Sequence, residues 1–221
     1  MQSHPVEIPV DAGVLAGELT AGPSARGLIV FAHGSGSSSK SPRNQYVAKA
    51  IQQEGLATLL FDLLTEAEQE SVSKRFDIKL LTDRLLHSLT WIGRRPEAAG
   101  LPIGLFGAST GAAAALRVAA TMDGLVQAVV SRGGRTDLAG DCVAEVVSPT
   151  LLIVGGKDYE VLELNRRTLS ALRCEKRLAV LPGATHLFEE PGALKEVSSL
   201  AALWLKSHLR RGRAESTGAP V

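Results

Sequence analysis

The sequence predicts an α/β fold, a mostly parallel sheet covered by helices on both faces. Short β-rich runs alternate with longer amphipathic segments, the order that a parallel sheet with crossover helices requires. Runs such as GLIVFA and TLLIV are continuously apolar and read as strands buried inside the molecule. The chain has 221 residues, 45% hydrophobic and 21% charged, which suits one domain with room for a two-sided sheet core.

An opening hairpin is expected over residues 6–10 and 14–19, followed by a buried strand over 27–32 that stops at the glycine-rich HGSGSSSKSP. Pro42 suits a first helical turn. Tyr46, Val47, Ala50 and Ile51 then share one face before Gly55 ends the helix. Residues 56–61 form the next strand. A polar, acidic stretch over 62–74 leads into a helix over 76–92, in which Leu80, Leu81, Leu85, Leu89 and Ile92 recur at helical spacing.

A short strand over 103–106, a small-residue turn over 107–111 and an alanine-rich helix over 112–120 come next; little side-chain bulk lets that helix sit close to the sheet. Three more strands are expected at 125–130, 150–154 and 177–181, with helices near 161–172 and 194–209. Residues 1–209 then make a single domain. The tail 210–221 has no apolar period and is expected to be mobile. The stretch between Ser131 and Pro149 is too short for a large helical cap, so an open site is expected.

Lys plus Arg (24) nearly balances Asp plus Glu (23), which argues against a nucleic-acid or anionic-membrane partner. No apolar stretch approaches the roughly 18 residues of a membrane span, and the N-terminus lacks the basic start and apolar run of a leader. Cys142 and Cys174 have no spacing suited to zinc or to a disulfide framework and read as free thiols. A cytoplasmic location is expected.

Gly107-Ala108-Ser109-Thr110-Gly111 matches G-x-S-x-G, in which a sharp strand-to-helix turn presents a serine. Glycines flank it because strand and helix approach with no space for a Cβ. An ordinary glycine-rich turn is the alternative, but an apolar strand directly before and a helix directly after are the context that such an elbow needs. The helix N-terminus also leaves amides unpaired, and that of Thr110 would face a developing oxyanion.

A serine hydroxyl needs a base, and the base needs an acid to orient it. Of five histidines, His4 lies in an expected mobile terminus, His33 and His87 precede the serine, and His208 ends the last helix. His186, in PGATHLF after a strand, is the candidate base. A surface loop histidine is the alternative. Asp158, in TLLIVGGKDYE, follows another strand end and gives the chain order Ser, Asp, His. Its alternative role is a helix N-cap; Asp137 and Asp141 are less well-placed acids.

A second oxyanion donor should come from His33-Gly34-Ser35-Gly36, through the amide of Ser35 or, second to it, Gly34. Neither Walker spacing nor G-x-G-x-x-G is present, which disfavours a nucleotide site there. His33 reads as structural. Ser131-Arg132-Gly133-Gly134-Arg135 opens beside the strand that delivers Ser109, so Arg132 or Arg135 could bind an anionic substrate group. An ion pair with Asp137 or Asp141 is the competing use of these arginines.

With FAHGSGSS, GLFGASTGAAAAL, LLIVGGKD and GATHLF in this order over roughly residues 25–209, the chain resembles α/β-hydrolases of the dienelactone-hydrolase-like group. The resemblance implies an eight-stranded, mostly parallel sheet and a Ser-His-Asp triad with no metal or organic cofactor. Dienelactone hydrolases proper resemble the chain in fold but use a cysteine nucleophile where this chain has Ser109, so reaction class is implied more firmly than substrate. The function expected is hydrolysis of a small carboxylic ester, thioester or lactone. Acyl transfer to another acceptor through the same triad, or a non-catalytic binding module on the same fold, are the rivals.

Overall fold

The computed structural model describes residues 1–210. In chain order the elements are β1 (Gln2–Val10), β2 (Gly13–Ala21), β3 (Leu28–Ala32), α1 (Pro42–Gln53), β4 (Ala57–Phe61), α2 (Glu66–Gln69), α3 (Val72–Arg75) and α4 (Ile78–Gly93). Then follow β5 (Ile103–Ala108), α5 (Thr110–Thr121), β6 (Val126–Arg132), β7 (Thr150–Gly155), α6 (Tyr159–Ala171), β8 (Lys176–Leu181) and α7 (Ala193–His208).

The strands form one eight-stranded sheet in the order β1-β2-β4-β3-β5-β6-β7-β8. β1 and β2 form an antiparallel hairpin, β2 meets β4 antiparallel, and every remaining pair is parallel. The chain leaves β3 toward β4 on one side and leaves β5 toward β6 on the other. The carboxyl ends of β3 and β5 therefore face a shared crevice at a topological switch point, where open α/β sheets place their ligands.

Two apolar layers hold the sheet. On one face Val47 and Ile51 of α1 and Val197, Ala201 and Leu205 of α7 pack on Ile29, Phe31, Phe106, Val130 and Ile153. Phe31 and Phe106 lie with ring centroids 4.8 Å apart. On the other face Leu81, Leu85, Leu89 and Ile92 of α4 and the small side chains of α5 cover Leu28, Val30, Leu105, Val129 and Leu152. Ala112, Ala113, Ala114 and Ala115 are all buried, so α5 sits close against the sheet, as its lack of bulk predicts.

Several expectations change. His4 is not in a mobile terminus: it lies in β1, opposite Leu19, because the hairpin runs back to Gln2. The buried face of α1 carries Val47, Ala48 and Ile51 with Asn44, while Tyr46 is 45% exposed. The polar stretch after β4 holds two one-turn helices, capped by the side chains of Thr65 and Ser71. Asp77 caps α4, leaving Phe76 outside it and exposed. β6 extends through Ser131 and Arg132 because both keep partners in β5 and β7, so Arg132 is a strand residue rather than a loop one.

The segment between β6 and β7 folds as a 3₁₀ turn over Thr136–Glu145 with a kink at Gly140. No described helix is long and apolar enough to cross a membrane. Of the tail expected at 210–221, positions 211–221 lie outside the described residues.

Candidate active site

Ser109 stands between β5 and α5 with φ 50° and ψ −121°, one of two non-glycine residues with positive φ among those described. Such a conformation is costly for a residue with a side chain and persists only where its surroundings enforce it. The enforcement is visible in the glycines. A Cβ on Gly107 would lie 2.5 Å from Ala112 Cα, and one on Gly111 2.1 Å from the Ala32 carbonyl oxygen. The turn is also tied to the end of β6: Ser109 N–H donates to the Arg132 carbonyl (3.1 Å) and Arg135 N–H to the Ser109 carbonyl (3.1 Å).

Asp158 follows β7 and stands at the N-cap position of α6, yet its side chain makes no cap hydrogen bond. Instead Asp158 Oδ2 accepts from His186 Nδ1 at 2.6 Å, the carboxylate side chain being only 14% exposed. That bond fixes the proton on Nδ1 and leaves Nε2 as the free basic nitrogen. His186 sits in the loop after β8, its ring against Gly133, where a Cβ would come within 3.4 Å of Nδ1. Gly133 is the residue after the carbonyl that holds Ser109, so the histidine and the serine border the same short turn. Ser109 is partly exposed and its Oγ has no hydrogen-bond partner among the described residues, an arrangement that commonly tightens only when substrate binds.

Thr110, the first residue of α5, has an amide with no intrahelical acceptor. Its buried side chain does something the sequence did not suggest: Thr110 Oγ1 accepts from Ser35 N–H at 2.9 Å, pinning the loop after β3 to the elbow. Gly34 closes in beside it, and a Cβ there would lie 2.8 Å from Ser109 Cβ. His33 holds this loop from below. Its Nε2 accepts from Leu63 N–H (2.9 Å), so Nδ1 carries the proton and donates to the Gly34 carbonyl (2.9 Å). Burial pushes its pKa below the usual imidazole value, which keeps the ring neutral.

The two arginines diverge. Arg135 forms a fork with Asp137, through Nε to Oδ1 (2.9 Å) and Nη2 to Oδ2 (2.8 Å), so its guanidinium is spent within its own loop. Asp141 makes no ion pair with either arginine among the described residues. Arg132 is 9% exposed, and its Nε and Nη1 are buried without a hydrogen-bond partner. Burial pulls its pKa down to about 10, and the charge of nearby Arg43 adds to the effect.

A cavity of about 470 Å³ is lined by the loop from His33 to Ser38 with Leu64 and Leu81; Ser109, Asp158 and His186 are not among its lining residues, and it adjoins the elbow through Gly34. Gly34 belongs to its wall and to the contact with Ser109. Lys40, Arg43 and Arg75 line it as well, and sequence reasoning did not single them out. Lys40 and Arg43 carried a local signal, two basic residues in KSPR just after the serine-rich loop, whereas Arg75 reaches the cavity from α3 without one.

The model of the family described as "Dienelactone hydrolase family" matches residues 18–207. Two proteins of Mycobacterium tuberculosis strains, each described as "Putative phosphoribosyl transferase", are 55% identical over 205 residues, covering 92% of this chain and 46% of theirs. The chain thus spans about half the length of these relatives. A dienelactone hydrolase from Anabaena variabilis superposes with a TM-score of 0.91 at 50% identity, over 95% of this chain and 99% of its own. Est1E from Butyrivibrio proteoclasticus shares the fold, with a TM-score of 0.79 at 16% identity over 92% of this chain and 98% of its own.

Proposed function

The chain belongs to the dienelactone hydrolase family, and we propose that within it the protein is a serine hydrolase that cleaves a carboxylic ester, thioester or lactone through an acyl-enzyme on Ser109. The observation that supports this most directly is the 2.6 Å bond between Asp158 and His186, set beside a serine held at positive φ. An aspartate at the start of a helix ordinarily caps it; here the carboxylate is committed to the histidine instead.

In the reaction Ser109 Oγ attacks the acyl carbon while His186 Nε2 takes the hydroxyl proton. The imidazolium, steadied by Asp158, returns that proton to the departing alkoxide, thiolate or ring oxygen. Water then attacks the acyl-enzyme by the same route, releasing the acid and restoring Ser109. The Thr110 amide is the first donor for the tetrahedral oxyanion and the loop after β3 is the source of the second, where Ser35 N–H is engaged by Thr110 Oγ1 in the resting structure. No step asks for a metal or an organic cofactor.

A fluorophosphonate probe tests the reading, since it modifies a serine only when the hydroxyl is activated. Stoichiometric labelling mapped to Ser109, lost in His186→Ala, is the expected result. No labelling under conditions that modify a control esterase overturns it. A panel of 4-nitrophenyl esters of rising chain length then defines the acyl group.

A further inference from the structure

The cavity beside the elbow has an unusual charge pattern. Lys40, Arg43 and Arg75 line it, and no aspartate or glutamate does. Neither Lys40 nor Arg75 has an ion pair among the described residues, and the Nε atoms of Arg43 and Arg75 are buried without a hydrogen-bond partner. Arg43 meets Glu189 through Nη1 at 3.1 Å, on its exposed side. Arg132, near enough for its charge to feel that of Arg43, adds a fourth cation that is buried, with Nε and Nη1 lacking a hydrogen-bond partner. Glu189 is the only ion-pair partner of these four side chains among the described residues, so positive charge exceeds negative there; a buried charge with no counter-ion is costly, and such a cluster is stabilised when an anion completes it.

The surrounding loop offers the hydroxyls of Ser35, Ser37, Ser38 and Ser41 to the same space. Three cations and several serines lining one cavity that no aspartate or glutamate lines among the described residues fit a doubly charged phosphate better than a carboxylate, which carries one charge in one plane.

We propose that this cavity is the subsite for a phosphate group carried by the ester substrate, held by Lys40, Arg43 and Arg75 with Arg132 near Arg43. The inference rests on the acyl-enzyme reading above for its substrate class. The phosphate is a handle and does not react: the bond broken remains the acyl carbon–oxygen bond, reached across Gly34, while the phosphorus keeps all its bonds.

The test uses three esters with one acyl group: butanoyl glycerol 3-phosphate, butanoyl glycerate and butanoyl glycerol. The wild-type protein is expected to favour the phosphate ester over the neutral one at least tenfold in kcat/KM and to favour it over the carboxylate ester. In Arg75→Gln and Arg43→Gln that ratio should fall toward one, whereas Arg166→Gln, an exposed change on α6, should keep it. Equal rates on all three esters in the wild type overturn the proposal, as does a carboxylate ester that equals or exceeds the phosphate ester. A ratio unmoved by both cavity variants overturns it too.

Binding is read separately from turnover through the rise in Tm caused by inorganic phosphate, against sodium chloride of equal ionic strength. A rise in the wild type that is lost in Arg75→Gln supports the subsite even if no ester is hydrolysed, an outcome that would sink only the acyl-enzyme reading. No rise with phosphate overturns the subsite itself. Arg132→Met separates ligand binding from a structural role: removing an uncompensated charge should raise Tm in phosphate-free buffer while shrinking the phosphate-induced shift. A fall in Tm with the shift intact would show that Arg132 is structural.

Discussion

His186 Nδ1 and Asp158 Oδ2 lie 2.6 Å apart across 28 residues of chain, joining the loops that follow β8 and β7. Because β7 and β8 are adjacent and parallel, both loops open at the same sheet edge, and β5 brings the elbow to that edge on the far side of β6.

Removing any of the three groups should remove turnover without removing the fold. Ser109→Ala and His186→Ala are each expected to lower kcat by roughly 10³-fold or more, and Asp158→Asn by about 10²–10⁴-fold. Hydrolysis of 4-nitrophenyl acetate gives the rates, and thermal melts should agree within a few degrees. A Ser109→Ala protein with the wild-type rate would show that the chemistry lies elsewhere.

The pH profile follows from the proposed role of His186 as base. A protonated imidazole has no lone pair to accept the serine proton, so activity is lost on the acid side. Initial rates of kcat/KM across the acid and neutral range check it, with recovery after return to neutral pH. A flat profile, with the chemical step limiting, would count against histidine base catalysis.

Gly111→Ala should be far more damaging than its size suggests. The new methyl would stand 2.1 Å from the Ala32 carbonyl oxygen and 2.5 Å from that of His33, both backbone atoms, so strand and helix must part. A loss of about 1–3 kcal/mol and a large fall in activity are expected. Gly93→Ala at the end of α4, where a Cβ meets nothing within 4 Å, is the control and should be neutral or slightly stabilising. Denaturant melts of both variants make the comparison.

Glu68 is a buried acid in which opposing effects compete. Burial raises its pKa, but the Thr65 amide, then Arg84 and then Lys74 outweigh burial and hold it below the usual carboxylate value. A carboxylate with a depressed folded pKa stabilises the protein above its unfolded pKa and loses that contribution as pH falls through the folded value. Glu68→Gln should therefore cost about 1–3 kcal/mol at pH 7. The gap between wild type and variant should close only in acid, as the pH falls past the unfolded carboxylate value and through the lower folded one. Urea melts at pH 7 and at several acid values measure it.

Strands such as 27–32 and 150–154 were legible because a strand buried on both faces is a continuous apolar run, and glycine or proline marks where each one stops. Asp158 and His186 were legible as loop residues after strands, since chain order limits which loops can meet. The residues that escaped are those whose placement depends on distant partners. Thr110 Oγ1 holds Ser35 N–H from 75 positions away, and nothing local in either segment suggests it. Lys40, Arg43 and Arg75 converge from a loop and two helices. His4 looked terminal only because strand pairing with β2, rather than local pattern, orders it.

The end of β6 assigns two tasks to one residue through different atoms. Arg132 steadies the nucleophile with its carbonyl oxygen alone, a group that every amino acid possesses. Its side chain points away from that duty, so the residue type at 132 is free to change while the serine stays in place. Under the phosphate-subsite proposal, substrate preference can thus drift at this position through single substitutions that leave the Ser109 turn intact, which makes it an entry point for diversification in the lineage and for directed evolution in the laboratory.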